Sequence, residues 1–189
     1  TYISGGNVAL EAVATATEGN ANAISSENGI RSKGGKSSIK ASADATNGNA
    51  VAIKAGEIDV NLVEASAVSK AQLLEQQDKS KLATVGDATA IDSGSITGSS
   101  IKASALSEGG NAMAVKGSGV YGEKDLTIEA VAEAKKAQIS ESADGKTKTF
   151  AAGNATAIDG YTIAAGGWKN DSKRKRNGCK KTRRCCIIL

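Results

Sequence analysis

From Ile39 to Ala45 apolar residues fall at every second position, with Lys40, Ser42 and Asp44 between them. A period of two marks a strand with one buried face. The same phrase, an aliphatic residue, a charged one and then Ala-x-Ala, opens at Leu10, Ile39, Val63, Ile101 and Ile128. Each copy closes on Gly-Asn/Asp-Ala-x-Ala-aliphatic, beginning at Gly19, Gly48, Gly86, Gly110 and Gly153. A further aliphatic follows at Ile30, Ile58, Ile96, Val120 and Ile163. Five copies of one phrase predict a repeat architecture, in which each unit covers the apolar face of the next.

Two stretches, Val63 to Leu82 and Leu126 to Ile139, also carry helix-favouring residues. Both begin with the strand phrase, so strand is expected to prevail through tertiary context. Between the second Ala of the opening and the closing Gly lie four residues in the first, second and fourth copies, but eighteen in the third and twenty in the fifth. Both long copies are lengthened by an even number of residues, as two arms of a hairpin require. Asp144-Gly145 predicts a type I′ turn that sets Ile139 opposite Phe150 and Glu141 opposite Lys148. Carried further, that register sets Ala132 opposite Ala157, and a turn at Asn47-Gly48 likewise sets Ala43 opposite Ala52. The third copy matches if its tip lies at Asp78-Lys79.

The expected fold is all-β: a five-unit β-solenoid of about 24-residue repeats with two protruding hairpins at one corner. An antiparallel β-meander or sandwich satisfies the same pattern. Equivalent alanines in successive copies favour stacking. The GNAxAI phrases resemble the repeats of bacterial filamentous-haemagglutinin-type proteins and trimeric adhesin heads, a likeness confined to short phrases.

Composition narrows the function. Phe150, Trp168 and three tyrosines are the only aromatics of 189 residues, so the core must be built from Ala and aliphatics. Proline is absent, which suits uninterrupted strand ladders. Histidine is absent too, which removes the usual general base and the commonest metal ligand. The net charge of +4 conceals two opposite parts. From Trp168 onward nine Lys/Arg face only Asp171, a net +8, whereas fifteen cations and nineteen anions leave the remainder at −4. The acidic body would not seek nucleic acid by itself.

All three cysteines, Cys179, Cys185 and Cys186, lie in the basic segment, which excludes a disulfide framework for the body. No run of about eighteen apolar residues is present. The chain opens at Thr1 rather than Met, as a processed product or a piece of a longer chain would. The reading divides it into a β-repeat domain over 1–166 and a disordered polybasic tail over 167–189.

The last four residues, Cys186-Ile187-Ile188-Leu189, form a C-a-a-X box of the kind that takes a geranylgeranyl chain. One prenyl chain holds a membrane weakly, so a second signal is needed. Cys185 and Cys179 are palmitoylation candidates. Lys173, Arg174, Lys175, Arg176, Lys180, Lys181, Arg183 and Arg184 are candidate contacts with an anionic membrane surface. The stretch KRKRNGCKKTRRCCIIL resembles the C-terminal tails of Ras- and Rho-family small GTPases. The resemblance implies prenylation of Cys186, removal of the three residues after it and methylation of the new end. It stops there: Asp144-Gly145-Lys146-Thr147 lacks the upstream glycine of a phosphate loop, with Ser140 in its place, and no Asn-Lys-x-Asp motif occurs.

Other uses of the tail stay open. Its two basic clusters fit a nuclear-localisation or nucleic-acid patch. Unpaired cysteines fit intermolecular cross-links of a secreted fibre, matrix or adhesin-type protein, and only there would the sequons Asn154-Ala155-Thr156 and Asn170-Asp171-Ser172 matter. Three cysteines on an unstructured segment make a poor zinc site. Asp44, Asp59, Asp87, Asp92 and Asp159 fit turns and strand ends, and Glu11, Lys40, Glu64, Lys102 and Glu129 fit one solvated face. The Asn of each Gly-Asn pair fits a turn or an internal ladder. The expected protein is a non-catalytic β-repeat binding or scaffold protein, without cofactor, at the cytoplasmic face of a membrane. Its protein partner is unnamed by the sequence, no specific nucleic acid is expected, and a homo-oligomer stays open.

Overall fold

The structure, a computed structural model, describes residues 2–32, 34–122, 126–165 and 184–188. Seventeen strands follow one another: β1 (Tyr2–Gly5), β2 (Ala9–Thr17), β3 (Ala21–Ser26), β4 (Gly29–Ser32), β5 (Ser38–Thr46), β6 (Ala50–Asp59), β7 (Leu62–Lys70), β8 (Leu74–Glu75), β9 (Lys81–Leu82), β10 (Ala88–Thr97), β11 (Ser100–Glu108), β12 (Ala112–Gly122), β13 (Thr127–Lys135), β14 (Ala137–Glu141), β15 (Lys148–Ala151), β16 (Ala155–Ala165) and β17 (Arg184–Ile188). No helix occurs among the described residues, so both helix-prone stretches resolve as strands.

The opening phrases form one parallel sheet, in the order β2-β5-β7-β11-β13. The closing phrases form a second, β3/β4-β6-β10-β12-β16, with β1 beside β4. Each coil thus contributes one strand to each sheet and turns between them at its Gly-Asn/Asp pair. This is a β-solenoid of five stacked coils; the meander is excluded by the parallel pairing. Register follows the repeat: Ile39, Val63, Ile101 and Ile128 align across the first sheet, and Ala50, Ala88, Ala112 and Ala155 across the second. Ala43 and Ala52 therefore lie in different sheets rather than in one hydrogen-bonded hairpin, as do Ala132 and Ala157.

The core is a set of rows running along the stack. Ile39, Val63, Ile101 and Ile128 are wholly buried, as are Ile58 and Ile96 of the opposite sheet. Alanine rows fill the space between, with Ala43, Ala67, Ala105 and Ala132 at 3 % exposure or less. In the second sheet both residues of Ala52-Ile53 and of Ala90-Ile91 are buried, so strict alternation breaks at the same place in each of these coils. That break is the Ala-x-Ala-aliphatic phrase itself, which puts neighbouring residues inward.

Stacking at one strand spacing leaves no room for side chains at the turns. A Cβ on Gly48 would overlap the carbonyl oxygen of Gly19, and Gly86, Gly110 and Gly153 each meet the glycine before them in the same way. The glycine is thus a steric requirement of the stack in four of the five coils, Gly19 alone having open space around it.

The two insertions leave the stack between β7 and β10 and between β13 and β16. They do not protrude separately. β14 pairs antiparallel with β9, joining the hairpins into one four-stranded sheet, β15-β14-β9-β8. Glu141 stands opposite Lys148 as expected, but a register shift between Gln138 and Ser140 sets Phe150 opposite Gln138 instead of Ile139. The tip is also not a type I′ turn. Gly145 alone takes a left-handed φ, +71°, and its N–H donates to the carbonyl of Ser142. The third coil's tip repeats this with Lys79 at φ 65° donating to Gln76.

Candidate binding surfaces and the ladder that supports them

The turn that begins each closing strand carries a polar ladder. Asn20 Oδ1 accepts the backbone N–H of Asn49 at 2.9 Å, and Asn49 Oδ1 that of Asp87 at 2.8 Å. Asp87 Oδ1 accepts the N–H of Asn111 at 2.7 Å, and Asn111 Oδ1 that of Asn154 at 3.0 Å. Five equivalent residues, one per coil, form the ladder, and the side chains of the first four accept turn amides that the sheet leaves unpaired. Asp can replace Asn because only the acceptor oxygen is used downward. Ser69 and Ser107, wholly buried, add a second set: Ser69 Oγ donates to the carbonyls of Gly48 and Gly86, Ser107 Oγ to Gly86. Reading the repeat as Ala-x-Ala missed these serines; their signal was the polar residue at an inward position two beyond the second alanine. No buried side-chain nitrogen or oxygen among the described residues lacks a partner.

Both outer faces carry rows of alternating sign. On the first sheet the register aligns Glu11, Lys40, Glu64, Lys102 and Glu129, with Lys40 Nζ 3.9 Å from Glu11. Beside this row run Ser42, Ser66 and Ser104, forming a shallow trough. On the second sheet Lys54, Asp92, Lys116 and Asp159 alternate likewise, Lys116 lying 3.9 Å from Asp92. In-register parallel strands bring equivalent side chains close together, so like charges in one row would repel. Alternation removes that cost, and it leaves the first row with a single net negative charge and the second with none. The second row was also legible, six residues beyond each closing glycine.

The four-stranded hairpin sheet differs from these faces. Of the large apolar side chains exposed among the described residues, Leu82, Val85 and Phe150 belong to the two insertions, Leu82 and Phe150 being about half exposed. Lys136 Nζ lies 4.7 Å from the Phe150 ring centre. Glu141 sits between Lys148 at 3.6 Å and Lys81 at 3.9 Å, and its Oε2 accepts from Gln138 Nε2 at 2.9 Å. The Gln138 hydrogen bond, then the two ammonium groups, hold the Glu141 carboxyl below the usual carboxylate range. At the tips, Asp78 is held low by hydrogen bonds from the Ser80 hydroxyl and N–H, and Asp144 by the Ser142 hydroxyl and the Lys146 N–H. Asn47 ties the first insertion down, its Nδ2 donating to the Gln72 carbonyl and its Oδ1 accepting the Gln72 N–H.

The candidate lipid-attachment and membrane-contact residues are placed in part. Backbone pairing sets Arg184, Cys185 and Cys186 of β17 antiparallel to Val131, Ala130 and Glu129 of β13. A strand there differs from the disorder expected across 167–189. Cys179, Lys173, Arg174, Lys175, Arg176, Lys180, Lys181 and Arg183 lie outside the described residues. Among the described residues no group of three or more His, Cys, Asp or Glu could hold a metal ion, and no helix is long and apolar enough to cross a membrane. No family, curated protein or solved structure matches the chain.

Proposed function

We propose that this chain is a non-catalytic scaffold: a rigid β-solenoid that presents the hairpin sheet to a protein partner and is held at the cytoplasmic face of a membrane by its tail. The exposure of Leu82 and Phe150 on the joint hairpin sheet, and of Val85 just after β9 in the same insertion, carries the binding half of this reading, because the solenoid's own outer faces are rows of alternating charge. An exposed apolar group rimmed by charge is the usual form of a protein-docking surface. The absence of histidine from the whole sequence supports a role without general acid-base chemistry. The anchoring half rests on Cys186-Ile187-Ile188-Leu189 as a geranylgeranylation box, with Cys185 or Cys179 as a second acyl site and the basic residues as electrostatic contact. Intact mass of the protein isolated from its native cell tests it. A mature chain ending at Cys186 with an added isoprenoid and methyl group supports the anchor, and an unmodified Leu189 end overturns it.

One observation favours a second reading, a secreted fibre or adhesin-type protein. Asn154, the last rung of the ladder, is exposed and heads the sequon Asn154-Ala155-Thr156. A glycan on Asn154 in the same mass measurement selects this reading.

A further inference from the structure

We infer that the outer face of the second sheet is a homodimer interface, on which two copies pack face to face about a two-fold axis that runs parallel to the strands, between β10 and β12. Two rows make up this face. Val51, Thr89, Met113 and Thr156 form a neutral row, aligned by register and half-buried. Three residues further along each strand stand Lys54, Asp92, Lys116 and Asp159. Lys54, Lys116 and Asp159 are exposed, and neither the hairpin sheet nor β17 pairs with the strands that carry this row.

Stacking accounts for the alternation within the row, and the order of signs decides what the row can meet from outside. A two-fold axis parallel to the strands reverses the order of the coils and keeps each position along the strand. It sets Lys54 against Asp159 of the second copy and Asp92 against Lys116, each twice, so all four charges of one copy find an opposite charge. The neutral rows meet in the same operation, Val51 against Thr156 and Thr89 against Met113, the chain's single methionine. In-register pairing repeats every row at one strand spacing, about 4.8 Å, so these contacts form together. A second copy is the partner whose charges recur at that same interval.

Other arrangements fail on charge. An axis along the stack keeps the coil order, and centred on the charged row it sets each of Lys54, Asp92, Lys116 and Asp159 against itself. Placed between the two rows, it buries every charge against a neutral residue. The first sheet fails as well, because the axis between its third and fourth coils sets Asp44 against Glu133. The pairing on the second sheet draws only on the second to fifth coils, and further coils at either end would lie outside these contacts. Four strands by six residues make a face roughly 20 Å square, below the area of a permanent complex. Association is therefore weak, reversible and favoured by low salt.

The test uses the full chain with Cys179, Cys185 and Cys186 changed to Ser, so that tail thiols form no cross-links. At submillimolar concentration and low salt, sedimentation equilibrium is expected to show the 19.0 kDa chain exchanging with a species of twice that mass. Asp92→Lys sets a cation against Lys116 of the other copy, and Lys116→Glu sets an anion against Asp92; each should weaken the dimer about tenfold or more. Far-ultraviolet circular dichroism should stay unchanged. An equimolar mixture of the two variants should associate as the parent does, since every facing pair is then opposite in sign, whereas repulsion within one chain's row is not relieved by mixing. Glu64→Lys and Lys102→Glu, the same changes of charge on the first sheet, should leave the dimer intact. A monomeric parent overturns the inference. So does association that survives Asp92→Lys and Lys116→Glu, as docking of the basic tail on the acidic body would, an equal loss through the first-sheet changes, or a mixture that fails to associate.

Discussion

Glu141, from the insertion of the fifth coil, stands directly across from Lys81, from the insertion of the third, with their charged groups 3.9 Å apart. The fourth coil lies between those two and has only a short turn there. The ion pair therefore links coils that are not neighbours in the stack.

Acid should loosen this link before it reaches the solenoid. Glu141, Asp78 and Asp144 are all held below their ordinary values of 4.5 and 3.8 in the folded chain. A lowered folded value means that stability is fully present above the ordinary value and is lost as pH falls through the lowered one. Amide exchange of 74–82 and 137–151 should therefore accelerate as pH drops from about 4.5 downward, while amides of β6, β10 and β12 stay protected. Glu141→Gln should remove its share of this pH dependence and leave that of Asp78 and Asp144 at the tips. Uniform loss of protection across the body would contradict it.

Asn49→Ala removes the acceptor of the Asp87 N–H and should cost about 1 kcal/mol, the worth of one hydrogen bond. Asp87→Asn keeps the acceptor oxygen and should be tolerated. Gly86→Ala forces a Cβ into the Gly48 carbonyl and should cost more than either, about 3 kcal/mol or above if the coil is to open. Urea denaturation ranks the three.

Glu18 at φ 59° and Lys79 at φ 65° occupy left-handed backbone, which disfavours residues with a Cβ. At the turn equivalent to Glu18, the second coil has Asn47 and the fourth has Gly109. Glu18→Gly and Lys79→Gly should each stabilise their turn by about 1 kcal/mol. The first should raise the denaturation midpoint, and the second should slow amide exchange in 74–82.

Lys102→Glu would place three anions in a row with Glu64 and Glu129. A loss of about 0.5–1 kcal/mol is expected at low salt, shrinking as ionic strength rises. Lys102→Gln should lose less. Equal effects would mean that the row contributes nothing electrostatically.

Much of this architecture was legible because a stack makes each coil copy its neighbour's constraints. The inward alanines, the turn glycines and the Asn/Asp rungs recur for that reason, and they gave the five coils and their register. The hairpin sheet was legible only in its parts. Glu141 opposite Lys148 is local to one hairpin, whereas Glu141 opposite Lys81 depends on two insertions of similar length leaving the same corner. The shift that moves Phe150 from Ile139 to Gln138 follows from a tip built on Ser142 to Gly145, where Asp144 holds the Ser142 hydroxyl and the Lys146 N–H instead of taking the left-handed position itself. Ser69 and Ser107 were passed over because a buried hydroxyl among alanines leaves the period unchanged.

The bridge between the third and fifth coils also decides how the body gives way under load. In a linear stack each unit holds only its neighbours, so rupture can begin anywhere. With the hairpins paired across the fourth coil, parting the third coil from the fifth must also break the β9–β14 ladder, whereas the first two coils hold by stacking alone. Force along the stack would thus separate coils outside the clasp more readily than those beneath it.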